Sequence, residues 1–133
     1  MTEHVSVIIV NWNGRRYLGR CLSSLLTQTY PDYDVVLVDN ASTDGSVAFV
    51  RERFPQVRMV VNGENVGFAA GNNIGIRATQ GAYVATLNTD TEAEPGWLAA
   101  LVAGREAAPR VGMCASKMLF LDRRDRINST GIA

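Results

Sequence analysis

The residues able to do chemistry gather in a few short polar segments. Asn88-Thr89-Asp90-Thr91-Glu92 sets oxygen-bearing side chains at alternate positions of one loop. Such oxygens can converge on a hard divalent cation. Mg2+ takes only one or two protein carboxylates and completes its shell with water and substrate phosphates. One good acid therefore suffices when the substrate brings a diphosphate. An isolated Asp-x-Glu reads more simply as a solvated helix start; its place after a buried strand favours the metal. A second segment, Asp39-Asn40-Ala41-Ser42-Thr43-Asp44-Gly45, offers Ser42 or Asp44 as helix caps. Asp39 ends an apolar run, where a bare carboxylate needs a partner; the imide N–H of a pyrimidine base would serve. Trp12 could stack on the same base or pack in the core. The segment from Asn65 and Gly67 to Gly75 holds more Gly and Asn than helix interiors usually carry. Close packing explains the glycines but not Asn72 and Asn73 together.

Other chemistries are excluded by what the chain lacks. His4 is the only histidine, and Cys21 and Cys114 are the only cysteines. A zinc cluster is out of reach, and a Ser-His-Asp triad would need a histidine beside the N-terminus. Two widely spaced cysteines fit reduced, buried thiols in a cytosolic protein. Lys+Arg and Asp+Glu each number 13, so the formal net charge is zero. That argues against a polybasic nucleic-acid or membrane-surface protein. Neither a G-x-G-x-x-G fingerprint nor a G-x-x-x-x-G-K-[ST] loop occurs, which disfavours a redox Rossmann domain and a P-loop NTPase. No apolar stretch approaches the ~20 residues of a membrane span, and none reads as a signal peptide.

Something must hold these segments in place. A chain of 133 residues that is 47% apolar can build one domain with its own core. Val5–Val10, Asp34–Asp39, Val57–Val61 and Ala82–Leu87 are short, β-branched runs that read as strands buried in a parallel sheet. Helical spacing follows each of them, over about residues 15–27, from the Ser42–Gly45 loop to about Phe54, over Gly67–Thr79 and over Trp97–Ala108. Val111–Ala115 reads as a fifth strand. Met118–Leu121 and Arg126–Asn128 read as a hairpin around an Asp122–Asp125 turn. Repeated strand-then-helix units mean an α/β layered fold with a mostly parallel central sheet and helices on both faces. Ligands of such sheets sit beyond the carboxyl ends of the strands, which is where the polar segments fall.

Taken in order, Asn11-Trp12-Asn13-Gly14 after the first strand, Val38-Asp39-Asn40-Ala41-Ser42, Asn65-Val66-Gly67 through Asn72-Asn73, and Leu87-Asn88-Thr89-Asp90 resemble the motifs of family 2 glycosyltransferases of the GT-A fold, with a rhamnosyltransferase-like flavour. The resemblance implies a Rossmann-like nucleotide-sugar-binding sheet. It implies transfer of a sugar from a nucleoside-diphosphate sugar, such as a UDP- or dTDP-sugar, to a glycan or lipid-linked acceptor hydroxyl, with inversion and with Mg2+ or Mn2+. Carried over by position, Val10, Asn11 and Trp12 would hold base and ribose, and Asp39 and Asn40 would contact the base. Ser42, Asn65 and Gly67 would line the nucleotide, and Asn72 and Asn73 would match a helix motif near it. Asn88, Thr89 and Asp90 would match the metal motif with its first acid replaced, leaving Asp90 as the metal ligand.

The resemblance also implies a general base well past the metal motif, so the base is expected beyond Ala133. Residues 1–133 then form the donor-binding part of a longer domain whose acceptor half is missing. Such a piece is expected to bind donor without turnover. The expected setting is bacterial cell-surface polysaccharide or glycan synthesis in the cytoplasm, with peripheral association of the full-length protein at the inner face of the membrane. An open sheet edge could drive homodimerisation. The competing reading is a non-catalytic nucleotide-sugar-binding or interaction module.

Overall fold

The computed structural model describes residues 2–116, 118–119 and 127–129. Strands and helices alternate: β1 (Val5–Asn11), α1 (Arg15–Leu25), β2 (Tyr33–Asp39), α2 (Ser46–Arg53), β3 (Arg58–Val61), α3 (Phe68–Arg77), β4 (Tyr83–Thr86) and α4 (Trp97–Glu106). These four strands form one parallel sheet in the order β3-β2-β1-β4. A short antiparallel pair, β5 (Met118–Leu119) and β6 (Ile127–Ser129), follows. Beyond the described residues lies the expected Asp122–Asp125 turn.

The central strands are apolar on both faces because both faces are covered. Val5, Val7 and Ile9 of β1 and Leu37 of β2 pack with Leu18, Leu22 and Leu25 of α1 and with Leu98 and Val102 of α4. Ile8, Val36 and Val38 point the other way, toward Ile74 of α3. That second layer is thin, and glycine makes it so. A Cβ built at Gly75 would stand 2.5 Å from Ile8 Cγ2, and one at Gly71 would stand 2.9 Å from Val10 Cγ1. The chain runs outward from β1 to β3 and then returns to the far side of β1. A crevice therefore opens beyond the carboxyl ends of β1 and β4, where such sheets bind ligands.

Two expectations need correction. Val111–Ala115 is irregular, not a fifth strand: it pairs with no strand among the described residues, and Met113 is 90% exposed. Apolar residue types alone do not make a strand: β4 keeps an open edge among the described residues, and this segment does not pair with it. Nor are both thiols buried. Cys114 is exposed, while Cys21 lies in the core, where burial pushes its thiol up to about 11. Among the described residues no helix is long and apolar enough to cross a membrane.

At the amino edge of the sheet, His4 joins the starts of β1 and β2. Its Nδ1 lies 2.7 Å from Asp32 Oδ1 and its Nε2 lies 2.9 Å from Asp34 Oδ1. A neutral imidazole carries one N–H, so both contacts are attractive only for the imidazolium. The hydrogen bonds to Asp32 and then Asp34 raise the His4 pKa above its ordinary 6.5. Ser6 also donates to Asp34 Oδ1, at 2.7 Å. The carboxylate thus stands between hydroxyl and ring, which is not the order of a Ser-His-Asp relay.

Two measurements follow from this packing. Gly75→Ala should destabilise the fold by about 1–3 kcal/mol through overpacking, outweighing the ~1 kcal/mol that Ala normally adds to a helix. Gly19→Ala meets only Phe49 Cζ at 3.6 Å and should stabilise instead; urea denaturation giving both variants the same sign would contradict the close approach. For His4 the folded pKa is raised, so its stabilisation is complete below the unfolded value of about 6.5 and is lost as pH rises through the folded value. The wild-type urea midpoint should fall over that window, and His4→Gln should lose that slope. A wild-type midpoint indifferent to pH there would show the ring to be neutral.

Candidate functional site

Register sets Asn11 beside Asp39 at the carboxyl ends of β1 and β2. Both side chains are fully buried. Asn11 Nδ2 donates to Asp39 Oδ1 at 2.8 Å and to Ser42 Oγ at 3.2 Å. The Ser42 hydroxyl donates to Asp39 Oδ1 at 2.7 Å, and the Ser42 N–H donates to Asp39 Oδ2 at 2.9 Å. Asn11 Oδ1 accepts the Gly14 N–H at 3.2 Å. The carboxylate of Asp39 thus fastens two loops together, each with one residue in left-handed backbone: Asn13 at φ 52° and Ala41 at φ 59°.

Further bonds close the ring of loops. Asn13 Oδ1 accepts the Thr43 N–H at 2.8 Å. The Arg15 N–H donates to Asp44 Oδ2 at 2.9 Å, and the Ser46 N–H donates to Asp44 Oδ1 at 3.0 Å. Burial pushes the Asp44 carboxyl up, but the bonds from Ser46 and Arg15 outweigh it and hold the group below the usual carboxylate range. Asp44, not Ser42, therefore serves the start of α2. Asn40 is 2% exposed and ties in the next loop. Its N–H donates to the Asn11 carbonyl at 2.8 Å, its Nδ2 donates to the Gly67 carbonyl at 3.0 Å, and its Oδ1 accepts from Asn62 Nδ2 at 2.9 Å. Gly67 sits at φ 89°, which favours glycine; its N–H donates to Asn65 Oδ1 at 2.9 Å.

The loop after β4 joins from the other side of β1. A Cβ at Gly14 would stand 2.5 Å from Asn11 Oδ1 and 3.1 Å from Thr89 Oγ1, so Thr89 reaches the β1 loop. Thr91 Oγ1 donates to the Asn88 carbonyl at 2.6 Å. Asp90 is exposed and makes no hydrogen bond or ion pair among the described residues. Trp12 is 60% exposed, so its ring is a surface and not core filling. Asn72 donates to the Phe68 carbonyl one turn back at 3.2 Å, and Asn73 faces solvent. Val10 packs toward α3.

The site is thus a framed rim. Asn11, Asp39, Asn40 and Ser42 form its frame, while Trp12 and Asp90 stand free on it; Asn73 is exposed on the side of α3 turned away from Gly71 and Gly75, which face the sheet. Asn13 and Gly14, part of the motif after the first strand but given no role in it, and Asn62 also build the frame. Their signal was position: each lies within the first few residues after the end of a strand.

Every partner of the Asp39 carboxylate is a donor. Asp39→Asn would turn an NH2 group toward one of them and lose the charge. A loss of about 2–3 kcal/mol in urea denaturation is expected for buried bonds to a charged acceptor. A loss below about 0.5 kcal/mol, the scale of ordinary surface substitutions, would show that the frame does not carry stability.

Comparison with known proteins places this geometry. Residues 6–130 match the profile of glycosyl transferase family 2. The uncharacterized glycosyltransferase YibD of Escherichia coli is 30% identical over 98% of this chain and 41% of its own length. Chondroitin synthase of Escherichia coli is 33% identical over 68% of this chain and 14% of its own. The mannosyltransferase of Pyrobaculum calidifontis, solved with GDP-Man and Mn2+, superposes with a TM-score of 0.65 at 30% identity, over 69% of this chain and 29% of its own. TarS of S. aureus, solved with UDP-GlcNAc, superposes with a TM-score of 0.71 at 21% identity, over 90% of this chain and 41% of its own, a likeness of fold. The chain spans 31%, 41% and 35% of the length of three curated relatives. Matched along nearly all its length, and built on the same parallel sheet, the chain belongs to glycosyl transferase family 2, with the GT-A fold.

Proposed function

We propose that this chain is the donor-binding part of an inverting, metal-assisted glycosyltransferase that moves a sugar from a nucleoside-diphosphate sugar to a glycan or lipid-linked acceptor. The observation that carries the reading is the rim itself. Loops from β1, β2 and β4 meet at one sheet edge, and the groups left unpartnered there among the described residues include an aromatic ring and a carboxylate. The nucleotide-sugar complexes of the mannosyltransferase and of TarS support it.

In this reading Trp12 offers its ring to the base, because every base has a π-face. The Asp39 carboxylate has about four acceptor sites and already receives bonds from Asn11 and Ser42. Its main work is to hold the Trp12 loop against the Ser42 loop, so that base and ribose meet a preformed surface. In this reading Asn72 and Asn73, in the second turn of α3, would offer neutral amides to the donor.

No group of three or more His, Cys, Asp or Glu side chains among the described residues could hold a metal alone. The donor set fits a cation shared with the substrate, for which Asp90 supplies one oxygen and the donor's diphosphate the others. Mg2+ or Mn2+ held there would neutralise charge on the leaving diphosphate. Asn88, in place of an acid, leaves Asp90 as the principal ligand. The base that deprotonates the acceptor is assigned to no described residue. In this reading it belongs to the full-length protein, and residues 1–133 bind donor without turnover. The same reading places the enzyme in cell-surface glycan synthesis.

Binding to the native state alone must raise the melting point; at a ligand concentration 100-fold above Kd the gain is about 2.7 kcal/mol. UDP, dTDP and GDP should be compared with and without Mn2+. At least one should raise the melting point further with metal present, and Asp90→Ala should abolish that increment while leaving the unliganded melting point unchanged. No shift with any nucleotide would overturn the donor-site reading, and an unchanged increment in the variant would retire Asp90 as the ligand.

A further inference from the structure

The formal net charge is zero, but the charges are not evenly spread. Helix α1 carries Arg15, Arg16 and Arg20 and no acid. Helix α2 carries Arg51 and Arg53 with one acid, Glu52. All five arginines are exposed. The two helices pack against each other on the same face of the sheet, and a shared ring brings their charges together. Arg15 Cζ stands 5.5 Å from the centre of the Phe49 ring and Arg53 Cζ stands 5.7 Å from it. Arg16 Cζ lies 4.6 Å over the ring of Tyr17, itself 39% exposed. Arg20 reaches Glu92 only at 3.9 Å. Arg15, Arg16, Arg51 and Arg53 make no ion pair among the described residues.

We infer that the α1–α2 face is a docking surface for an anionic lipid bilayer. Two like charges gathered on one ring repel each other, and an opposing layer of anionic headgroups relieves that repulsion. The stems of the arginines and the half-exposed Tyr17 give apolar bodies with polar ends, which suits the headgroup layer. A bilayer tolerates charges scattered over two helices because its headgroups move to meet them; a nucleic acid has fixed phosphate spacing. The face also begins at Arg15, next to the Asn13 and Asp44 loops of the rim. A chain lying on this face would hold the mouth of its candidate site beside the membrane.

Each arginine near an anionic surface strengthens binding about fivefold. The chain should sediment with vesicles of phosphatidylcholine and phosphatidylglycerol, but not with phosphatidylcholine alone, and added salt should release it. Arg16→Gln with Arg53→Gln should weaken binding about 30-fold. Arg77→Gln with Arg110→Gln makes the same change in net charge on exposed positions elsewhere and should leave binding within about twofold, well short of one arginine's contribution. Circular dichroism melting shows whether each pair still folds. Equal losses in both pairs, equal binding to neutral vesicles, or retention by an oligonucleotide but not by anionic vesicles would each overturn the inference.

Discussion

A carboxylate placed at the buried end of a strand has to find donors inside the protein, because water cannot reach it. Asp39 is in that position. Its donors come from Asn11 on the neighbouring strand and from Ser42 three residues on. Much else follows from satisfying that one group. Strand register must bring Asn11 alongside, Ala41 must enter the left-handed region so that Ser42 can turn back, and Gly14 must have no side chain where Asn11 Oδ1 sits. The result is a set of loops whose shape is fixed before any ligand arrives, which lowers the ordering cost of binding.

The opposite layer obeys a different constraint. Helix α3 lies so near the sheet that the methyl groups of Val10 and Ile8 occupy the space where side chains at 71 and 75 would stand. Helix propensity is sacrificed for that approach. In return the start of α3 comes within reach of β2, and Asn40 can bond the Gly67 carbonyl directly. An Asp at position 40 could accept from Asn62 but could not donate to Gly67, so the amide does work there that an acid cannot.

Much of this was legible in the sequence, for identifiable reasons. The Val, Ile and Leu runs of β1 and β2 have a single reading because both faces are buried. Their following polar segments could be placed on one edge by topology alone. Gly71 and Gly75 were legible as close packing. Less legible was the division of labour within the polar segments. A buried Asp39 that frames the rim and an exposed Asp90 that stands on it are the same residue type in similar loops, and only three-dimensional burial separates them. Val111–Ala115 misled for a related reason, since apolar residue types do not reveal whether a segment will pair with an open edge. The zero net charge likewise hid an arginine-rich helical face, because a sum carries no geometry.

The sheet is unequal across its width. β1 and β2 each have a partner on both sides and run seven residues, whereas β4 is four residues long and pairs only with β1 among the described residues. Its Val84 is 40% exposed. Opening free energies follow such differences, smallest where few apolar contacts and many exposed backbone bonds coincide. The Asn11–Ser42 frame is therefore anchored to strands expected to open rarely, and the Asn88–Glu92 loop to one expected to open more readily. A ligand that bridged the two would draw its positional accuracy from β1 and β2 and would spend part of its binding energy quieting β4. Amide protection in β4 would then report occupancy of the rim, while β1 registered almost none of it.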